Sequence, residues 1–320
     1  MGLQRSEFVW MNGQWVAWED AKIHVLSHVL HYGSSVFEGI RCYDRPDGPA
    51  IFRLEEHVRR LVDSAKIYRM DCRFSAEQIS RVCVDVIAKN NLRAAYIRPI
   101  IYRGYENLGV NPIGNPIDIA VAAYPWGMYL GPESQEKGVA VCVSSWRRAA
   151  PDTFPSMAKA GGHYMNSQLI KTEAITNGYA EGIALDSHGW LSEGSGENLF
   201  IVWKGELYTS PLAASILGGI TRDTVITLAK SKGLTVREEF LPRELLYCCD
   251  EAFFSGTAVE ITPITSVDRV PVGDGQRGPV TQAMQKVFFE LVHGKAPDTR
   301  GWFTPVRAAG AARAKQPAKA

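Results

Sequence analysis

Lys159 stands in the run Met157-Ala158-Lys159-Ala160-Gly161-Gly162-His163-Tyr164. Small residues flank it, and Ala160, Gly161 and Gly162 leave room for something bulky and planar beside the amine. An exposed lysine has a pKa of about 10.4, is protonated at neutral pH and is a poor nucleophile. Burial, or conversion to an imine, removes the charge and opens Schiff-base chemistry. Tyr164 follows at a distance from which a phenol reaches the same object. On the octapeptide alone a surface lysine in a glycine turn is the commoner outcome, because lysines are mostly exposed.

Other residues shift that balance. A phosphorylated pyridine aldehyde needs a lysine for its aldehyde, a carboxylate for its ring nitrogen, a phenol for its ring hydroxyl and an anion site for its phosphate. Lys159 and Tyr164 serve the first and third needs. Glu193, in the glycine-rich run Leu191-Ser192-Glu193-Gly194-Ser195-Gly196-Glu197, suits the nitrogen. A carboxylate there keeps the nitrogen protonated through a charge-assisted bond. The alternative is that Glu193 is a solvated turn residue, with Glu197 the next candidate. Ile220-Thr221 lies behind Gly218-Gly219 at a predicted helix N-terminus, where free N–H groups and the helix dipole attract phosphate. An ordinary N-cap threonine is the other reading. Arg60 adds a fixed positive charge, and Thr257, in a strand break, adds a hydroxyl and exposed N–H groups.

Competing chemistries lack their motifs in the required context. There is no G-x-x-x-x-G-K-[ST]; Gly194-Ser195-Gly196 is only half of a G-x-G-x-x-G and precedes a strand, and Gly273-Asp274-Gly275-Gln276-Arg277-Gly278, which has the full spacing, stands before the last predicted helix with no strand after it to complete a βαβ unit. No G-x-S-x-G elbow occurs. His24, His28 and His31 share a helix-like spacing, but no H-E-x-x-H or Cys and carboxylate set accompanies them, so they read as structural. The net charge of +1 in 320 residues asks for neither nucleic acid nor a membrane surface. No apolar run has the length of a membrane span, and the N-terminal residues do not read as a signal peptide. The cysteines, Cys42, Cys72, Cys83, Cys142, Cys248 and Cys249, are scattered, which implies reduced thiols and a cytoplasmic setting.

The elements that must carry these residues are legible in outline. Asn12-Gly13 between Phe8, Trp10 and Trp15 predicts a hairpin. Ser34 to Tyr43 reads as a helix-to-strand passage with Gly39 at a tight point. Leu54, Val58, Leu61, Val62 and Ala65 have helical spacing, and one of Arg59 and Arg60 points inward. Ser75-Ala76-Glu77-Gln78 is a capping box opening a helix to about Lys89. Tyr96 to Arg103 and Asp118 to Tyr124 read as strands, with Arg98 equally an edge-strand arginine facing water. The long loop from Gly104 to Pro116 lies between them. Beyond Pro125 come a strand over 138–146, helices from Tyr164, Gly219 and Thr281, and strands around Glu181, Leu199, Glu206, Leu234 and Glu251. The segment from about Val306 lacks an apolar face and reads as disordered.

In this order the motifs HYGSSVFEGIRCY, RLVDSAKIY, AYIRP, PWGMYLG, AKAGGHY, EGIALD, SEGSGENLF, GITRD and SGTAVEITP form a specific signature. From about Phe8 to Trp302 the chain resembles the class IV aminotransferases that use pyridoxal phosphate, and within them those acting on branched-chain amino acids. The resemblance implies an α+β, two-domain fold: a small α/β domain over 1–124, a linker over 125–137 and a larger β-barrel-like cofactor domain over 138–305. It implies that Lys159 bonds the cofactor and carries the proton between the substrate α-carbon and the cofactor. Glu193 would hold the ring nitrogen, Tyr164 the ring oxygen, and Arg60, Ile220, Thr221 and Thr257 the phosphate. Thr257, Ala258 and Tyr96 would meet the substrate α-carboxylate. Arg98, with Tyr32 and Tyr129, would receive the side-chain carboxylate of glutamate. Phe37, Trp126 and Tyr129 would wall an apolar pocket for leucine, isoleucine or valine. The implied reaction moves an amino group between such an L-amino acid and 2-oxoglutarate. The loop with Leu108 and Val110 would reach a partner subunit, making a homodimer, or a higher oligomer built from it, the active unit. D-amino-acid or amine transamination and aminodeoxychorismate cleavage are the alternatives within the fold. A vitamin-binding scaffold without turnover, or a lysine aldolase without cofactor, leaves part of the Lys159, Glu193, Tyr164 and Ile220-Thr221 set without a use. His163 stands where many relatives carry asparagine, and Gly218 where proline is common.

Overall fold

The computed structural model describes residues 4–126 and 133–306. The chain opens with the hairpin of β1 (Phe8–Met11) and β2 (Gln14–Ala17), turned at Asn12 and Gly13 with φ of 51° and 99°. The Asn-Gly pair tolerates both positive angles. Then come α1 (His28–Tyr32), β3 (Ser35–Phe37), β4 (Ile40–Arg45) and β5 (Gly48–Phe52). The passage expected over Ser34–Tyr43 holds no helix, since α1 ends at Tyr32 and Gly39 separates two strands. A Cβ on Gly39 would lie 1.9 Å from the Tyr96 hydroxyl, so the tight point is an approach that only glycine permits. His28 bonds Ser34 Oγ at 2.7 Å and the Gly109 carbonyl at 2.9 Å, and His31 bonds the Val25 carbonyl.

α2 (Leu54–Ile67) and α3 (Ala76–Lys89) follow, and Ser75 and Gln78 cap α3 reciprocally. β6 (Ala95–Arg103) and β7 (Ile117–Pro125) complete this part of the chain. Leu54, Val58, Leu61 and Ala65 of α2 and Ile79, Cys83, Val86 and Ile87 of α3 pack on Ile40, Ile51, Ile97, Ile119 and Val121 of the sheet. β6 pairs with β3, β4 and β7, so Arg98 stands on a central strand, half-buried, and not on an edge.

The remaining elements are α4 (Ser134–Lys137), β8 (Val139–Val143), α5 (Tyr164–Thr176), β9 (Glu181–Leu185), β10 (Leu191–Gly194), β11 (Asn198–Trp203), β12 (Glu206–Thr209), α6 (Ile220–Ser231), β13 (Val236–Glu238), β14 (Glu251–Gly256), β15 (Glu260–Val267), β16 (Val270–Pro271), α7 (Pro279–Val292) and β17 (Phe303–Pro305). β10, β9, β8, β15, β14 and β11 pair in that order, and β10 pairs back onto β11 through Glu193 and Asn198. The strands thus close into a barrel. Alternation along β11 sends Leu199 and Ile201 inward to meet Ile183, Leu191, Phe254 and Ile264. Phe200 and Val202 face outward beneath α6 and α7, against Val225, Met284 and Phe288.

The chain ends by returning to the first sheet. β17 pairs antiparallel with β5, so the order there is β17-β5-β4-β6-β7-β1-β2. This departs from the expectation that everything from 138 to 305 joins the second part of the chain. Val306 is buried and donates to the Pro49 carbonyl at 2.8 Å, so it is not the start of a loose segment. The rest of the expected tail, and 127–132 of the expected linker, lie outside the described residues. No described helix is long and apolar enough to cross a membrane.

Candidate active site

Between the first sheet and the barrel lies a cavity of about 430 Å³. The loop from β8 to α5 brings Lys159 into it. That loop is pinned to both parts of the chain: Lys159 N–H donates to Ser64 Oγ of α2 at 3.0 Å, and its carbonyl accepts from the Phe37 N–H at 3.0 Å. Lys159 Nζ donates to the Tyr164 hydroxyl at 2.6 Å, and the Phe37 ring lies 5.2 Å from the amine and 4.9 Å from the Tyr164 ring. Lys159 is not an exposed glycine-turn residue.

α2 carries Arg60 to the opposite wall, while Arg59 points to solvent. Arg60 Nε and Nη2 grip Glu38 at 2.6 and 2.9 Å, and Nη1 donates to the Gly218 carbonyl at 2.8 Å. Glu38 is fully buried and also bonds His57 Nδ1 at 2.7 Å. Burial alone would raise its pKa, but Arg60 and His57 outweigh that and hold the carboxylate well below its usual range. Glu38 thereby fixes the guanidinium that faces the cavity. Neither Glu38 nor His57 was singled out by the sequence, where each is one charge or imidazole in a mixed run.

Glu193 is buried on the barrel seam. Its Oε2 accepts from Asn198 Nδ2 at 3.0 Å and from the Leu217 N–H at 3.1 Å, and its Oε1 lies 3.3 Å from Arg148 Nε. Burial raises its pKa, against Arg148, the Leu217 N–H and Lys159. It is not a solvated turn residue. Glu197 lines the same cavity, buried, and is pushed up to about 8 by burial and then by the neighbouring charge of Glu181.

Ile220 and Thr221 are the first residues of α6, both buried at the cavity wall. Their N–H groups precede the helix's own hydrogen bonding and point outward from its N-terminus. A Cβ on Gly219 would lie 1.9 Å from Asn198 Oδ1, so glycine is what lets this turn approach the seam. Thr257 and Ala258 reach the cavity from the β14–β15 connection, and beside them the Ser255 hydroxyl is buried without a hydrogen-bond partner among the described residues. Tyr96 also lines the cavity, its phenol pushed up to about 12 by burial.

Arg98, Phe37 and Trp126 form an adjoining layer. The Arg98 guanidinium lies over the rings of Phe37 and Tyr96 at 4.8 and 5.4 Å, and Trp126 packs on Tyr96 at 4.7 Å. Arg98 Nε is buried with no hydrogen-bond partner among the described residues. Tyr32 stands apart, half exposed and packed on His28. Tyr129 lies outside the described residues.

The cavity therefore offers an amine against a phenol, a guanidinium and helix N-terminus for an anion, and a buried carboxylate. Its relatives are enzymes. The branched-chain-amino-acid aminotransferase of Salmonella typhimurium is 54% identical over 307 residues, covering 96% of this chain and 99% of that one. The crystal structure of the Escherichia coli branched-chain amino acid aminotransferase superposes with a TM-score of 0.93 at 55% identity, covering 95% of this chain and all of that one. The branched-chain amino acid aminotransferase from Thermobaculum terrenum, in its PLP holo-form, has a TM-score of 0.88 at 35% identity, over 95% of this chain and 99% of that one. Residues 35–267 match the amino-transferase class IV family, and with these relatives along nearly its whole length the chain belongs to that family.

Proposed function

We propose that the cavity binds pyridoxal 5′-phosphate and that the chain transfers an amino group between branched-chain L-amino acids and 2-oxoglutarate, giving branched-chain 2-oxo acids and L-glutamate. The observation that carries this reading is the meeting of Lys159, Tyr164, Glu193, Arg60 and the α6 N-terminus around one space. The residues fit such a group. The cleft between Arg60 and Ile220-Thr221 suits a phosphate, and the Ser255 hydroxyl, without a partner among the described residues, offers a further donor. The similar S. typhimurium and E. coli proteins, which carry the branched-chain aminotransferase name, support the substrate class. The PLP holo-form of the similar T. terrenum protein supports the cofactor.

When bound, the cofactor supplies an aldehyde for an amine and a ring that accepts electrons from a substrate carbon. The chain does the rest. Lys159 Nζ would hold the group at its aldehyde and would move a proton at the substrate α-carbon. Tyr164 holds that amine and the neighbouring ring oxygen. Glu193, fixed by Asn198 and the Leu217 N–H, holds the ring nitrogen. Arg60, Ile220, Thr221 and Thr257 hold the phosphate, and Thr257, Ala258 and Tyr96 receive the α-carboxylate. Phe37 and Trp126 wall the side-chain pocket, with Arg98 for a second carboxylate. Leu108 and Val110 are exposed, Val110 at 85%, which fits a loop that completes the site of a second copy in a homodimer or an assembly built from it. A cytoplasmic setting accords with the free cysteines.

The test is direct. The purified protein is reduced with borohydride and its peptides are mapped, while L- and D-amino donors and simple amines are screened against 2-oxoglutarate. A pyridoxyl label on Lys159 and preference for L-leucine, L-isoleucine and L-valine are expected. A label elsewhere, or preference for D-amino acids, overturns the assignment.

A further inference from the structure

We propose that Arg53 is a positioning residue for the phosphate end of the cleft, acting through Arg60 and the first turn of α6. The proposal rests on the cofactor reading above. Arg53 caps α2 in the left-handed region, at φ 52°, where residues other than glycine are uncommon. Such a conformation persists only where the surroundings hold it. Here they do. Its N–H donates to the Trp302 carbonyl at 2.7 Å, and its guanidinium lies 4.7 Å from the Trp302 ring. The buried guanidinium crosses to α6: Nη2 donates to Asp223 Oδ2 at 2.9 Å and Nη1 to Thr224 Oγ1 at 3.1 Å, while Nε holds Glu56 of its own helix.

Arg60 is about two turns further along α2, on the same face. It reaches the segment leading into α6, through the Gly218 carbonyl. In sequence the two arginines thus bracket the Ile220 and Thr221 N–H groups: Arg60 at Gly218, two residues before the helix, and Arg53 at Asp223 and Thr224 after them. α2 packs on the first sheet and α6 on the barrel. A phosphate between them touches both parts of the chain, and its grip depends on their spacing.

Charge adds a second argument. Asp223 lies in the first turn of α6, next to the groups proposed to hold a dianion. Left alone, its carboxylate, 59% exposed and partly screened by water, would oppose that anion weakly. Paired with Arg53, it does not. The geometry therefore assigns Arg53 two tasks: holding the cleft at one width and neutralising the one carboxylate of the α6 first turn.

The experiment measures cofactor dissociation from the holoenzyme by dialysis and absorbance of the bound chromophore, beside kcat at saturating cofactor. Arg53→Met is expected to weaken cofactor binding about tenfold, the weight of one charge-assisted hydrogen bond, with a much smaller fall in kcat. Arg53→Lys recovers part of the loss. The double variant Arg53→Met with Asp223→Asn recovers more, because the unpaired carboxylate is gone. A purely structural arginine gives no such recovery. If Arg53→Met does not accumulate as folded protein, Thr224→Val removes the Nη1 acceptor, together with the Thr224 hydroxyl's own donation to the Ile220 carbonyl at 2.9 Å, and is expected to weaken binding a few-fold, whereas Thr224→Ser, which keeps both bonds, is expected to bind as wild type; unchanged binding in Thr224→Val overturns the proposal. Arg60→Met is the separating control. Weakened binding in Arg60→Met with none in Arg53→Met sinks the role of Arg53 and leaves the phosphate site standing. Unchanged binding in both overturns the phosphate site as well.

Discussion

Arg148 Nε lies 3.3 Å from Glu193 Oε1, and the same guanidinium donates to the carbonyls of Gly194 and Ser195 at 2.5 and 3.1 Å. Its Nη1 is held by Asn166 and Ser167 at 3.0 Å each. The cation is thus fixed behind the carboxylate proposed to hold the ring nitrogen. Burial pushes the Glu193 pKa up, and Arg148 is the strongest force against it. Without that charge Glu193 shifts further up and is neutral over more of the pH range, when it cannot stabilise a protonated nitrogen. Arg148→Met should therefore lower kcat most at acid pH and recover part of it as pH rises, with the acid limb of the kcat profile displaced upward. Arg148→Lys, which restores charge without the fork, should lie between the two. An unchanged profile would mean that Arg148 only braces the loop.

Glu197 gives a prediction about stability. Its pKa rises from 4.5 to about 8 because burial, and then Glu181 beside it, disfavour its charge. The Gly196 N–H, which donates to Glu197 Oε2 at 3.0 Å, acts the other way, as do Lys171, paired with Glu181 at 2.8 Å, and Arg148. A carboxyl with a raised folded pKa binds its proton more tightly when folded. Its contribution is complete below the unfolded value and is lost as pH climbs toward the folded one. The holoenzyme should therefore lose melting temperature between about pH 5 and pH 8. Glu197→Gln, neutral at every pH, should flatten that slope. Parallel slopes in wild type and variant would place the titration elsewhere.

How far the sequence reveals this site depends on the range of each signal. Lys159, Glu193 and Ile220-Thr221 announce themselves through small residues beside them in the chain, and the structure brings all of them to one cavity. The α3 capping box and the Asn12-Gly13 hairpin are equally local. Glu38, His57, Arg148 and Asn198 were missed. The decisive partner of Glu38 is 22 residues away, and Arg148 meets Gly194 across 46. No periodicity marks such a pair. The choice between Arg59 and Arg60 could not be made from helical spacing either, because the carboxylate that draws Arg60 inward sits on another element. β17 is too short to show alternation, and the barrel closes through β10 pairing, which is visible only in three dimensions.

Lys159→Ala should abolish multiple-turnover transamination while the protein still takes up cofactor. In the proposed reading the amine alone does covalent and proton-transfer work, whereas Arg60 and the α6 N-terminus stand on other elements. Absorbance after gel filtration reports bound cofactor, and a coupled assay reports turnover. More than trace turnover would move the chemistry to another residue.

The side-chain pocket must accept an apolar branched group in one half-reaction and a carboxylate in the other. In the proposed site Phe37 and Trp126 serve the first, at roughly 0.8 kcal/mol for each CH₂ buried. They would reject a bare carboxylate, whose burial is costly unless it is paired. Arg98 lies against the Phe37 and Tyr96 rings, with its buried Nε lacking a partner among the described residues. A guanidinium stacked on rings in the layer adjoining the cavity is suited to a charge that arrives and leaves with the substrate. Arg98→Met should accordingly reduce kcat/KM for glutamate and 2-oxoglutarate by about 3–5 kcal/mol if the ion pair is fully desolvated. The leucine half-reaction should change far less, since leucine brings nothing for the guanidinium to bind and methionine preserves the apolar wall. Stopped-flow measurement of each half-reaction separates the two. Equal losses for leucine and glutamate would show that Arg98 binds the α-carboxylate common to both, and the second carboxylate would then have to be sought at Tyr32 or on the exposed loop of a second copy.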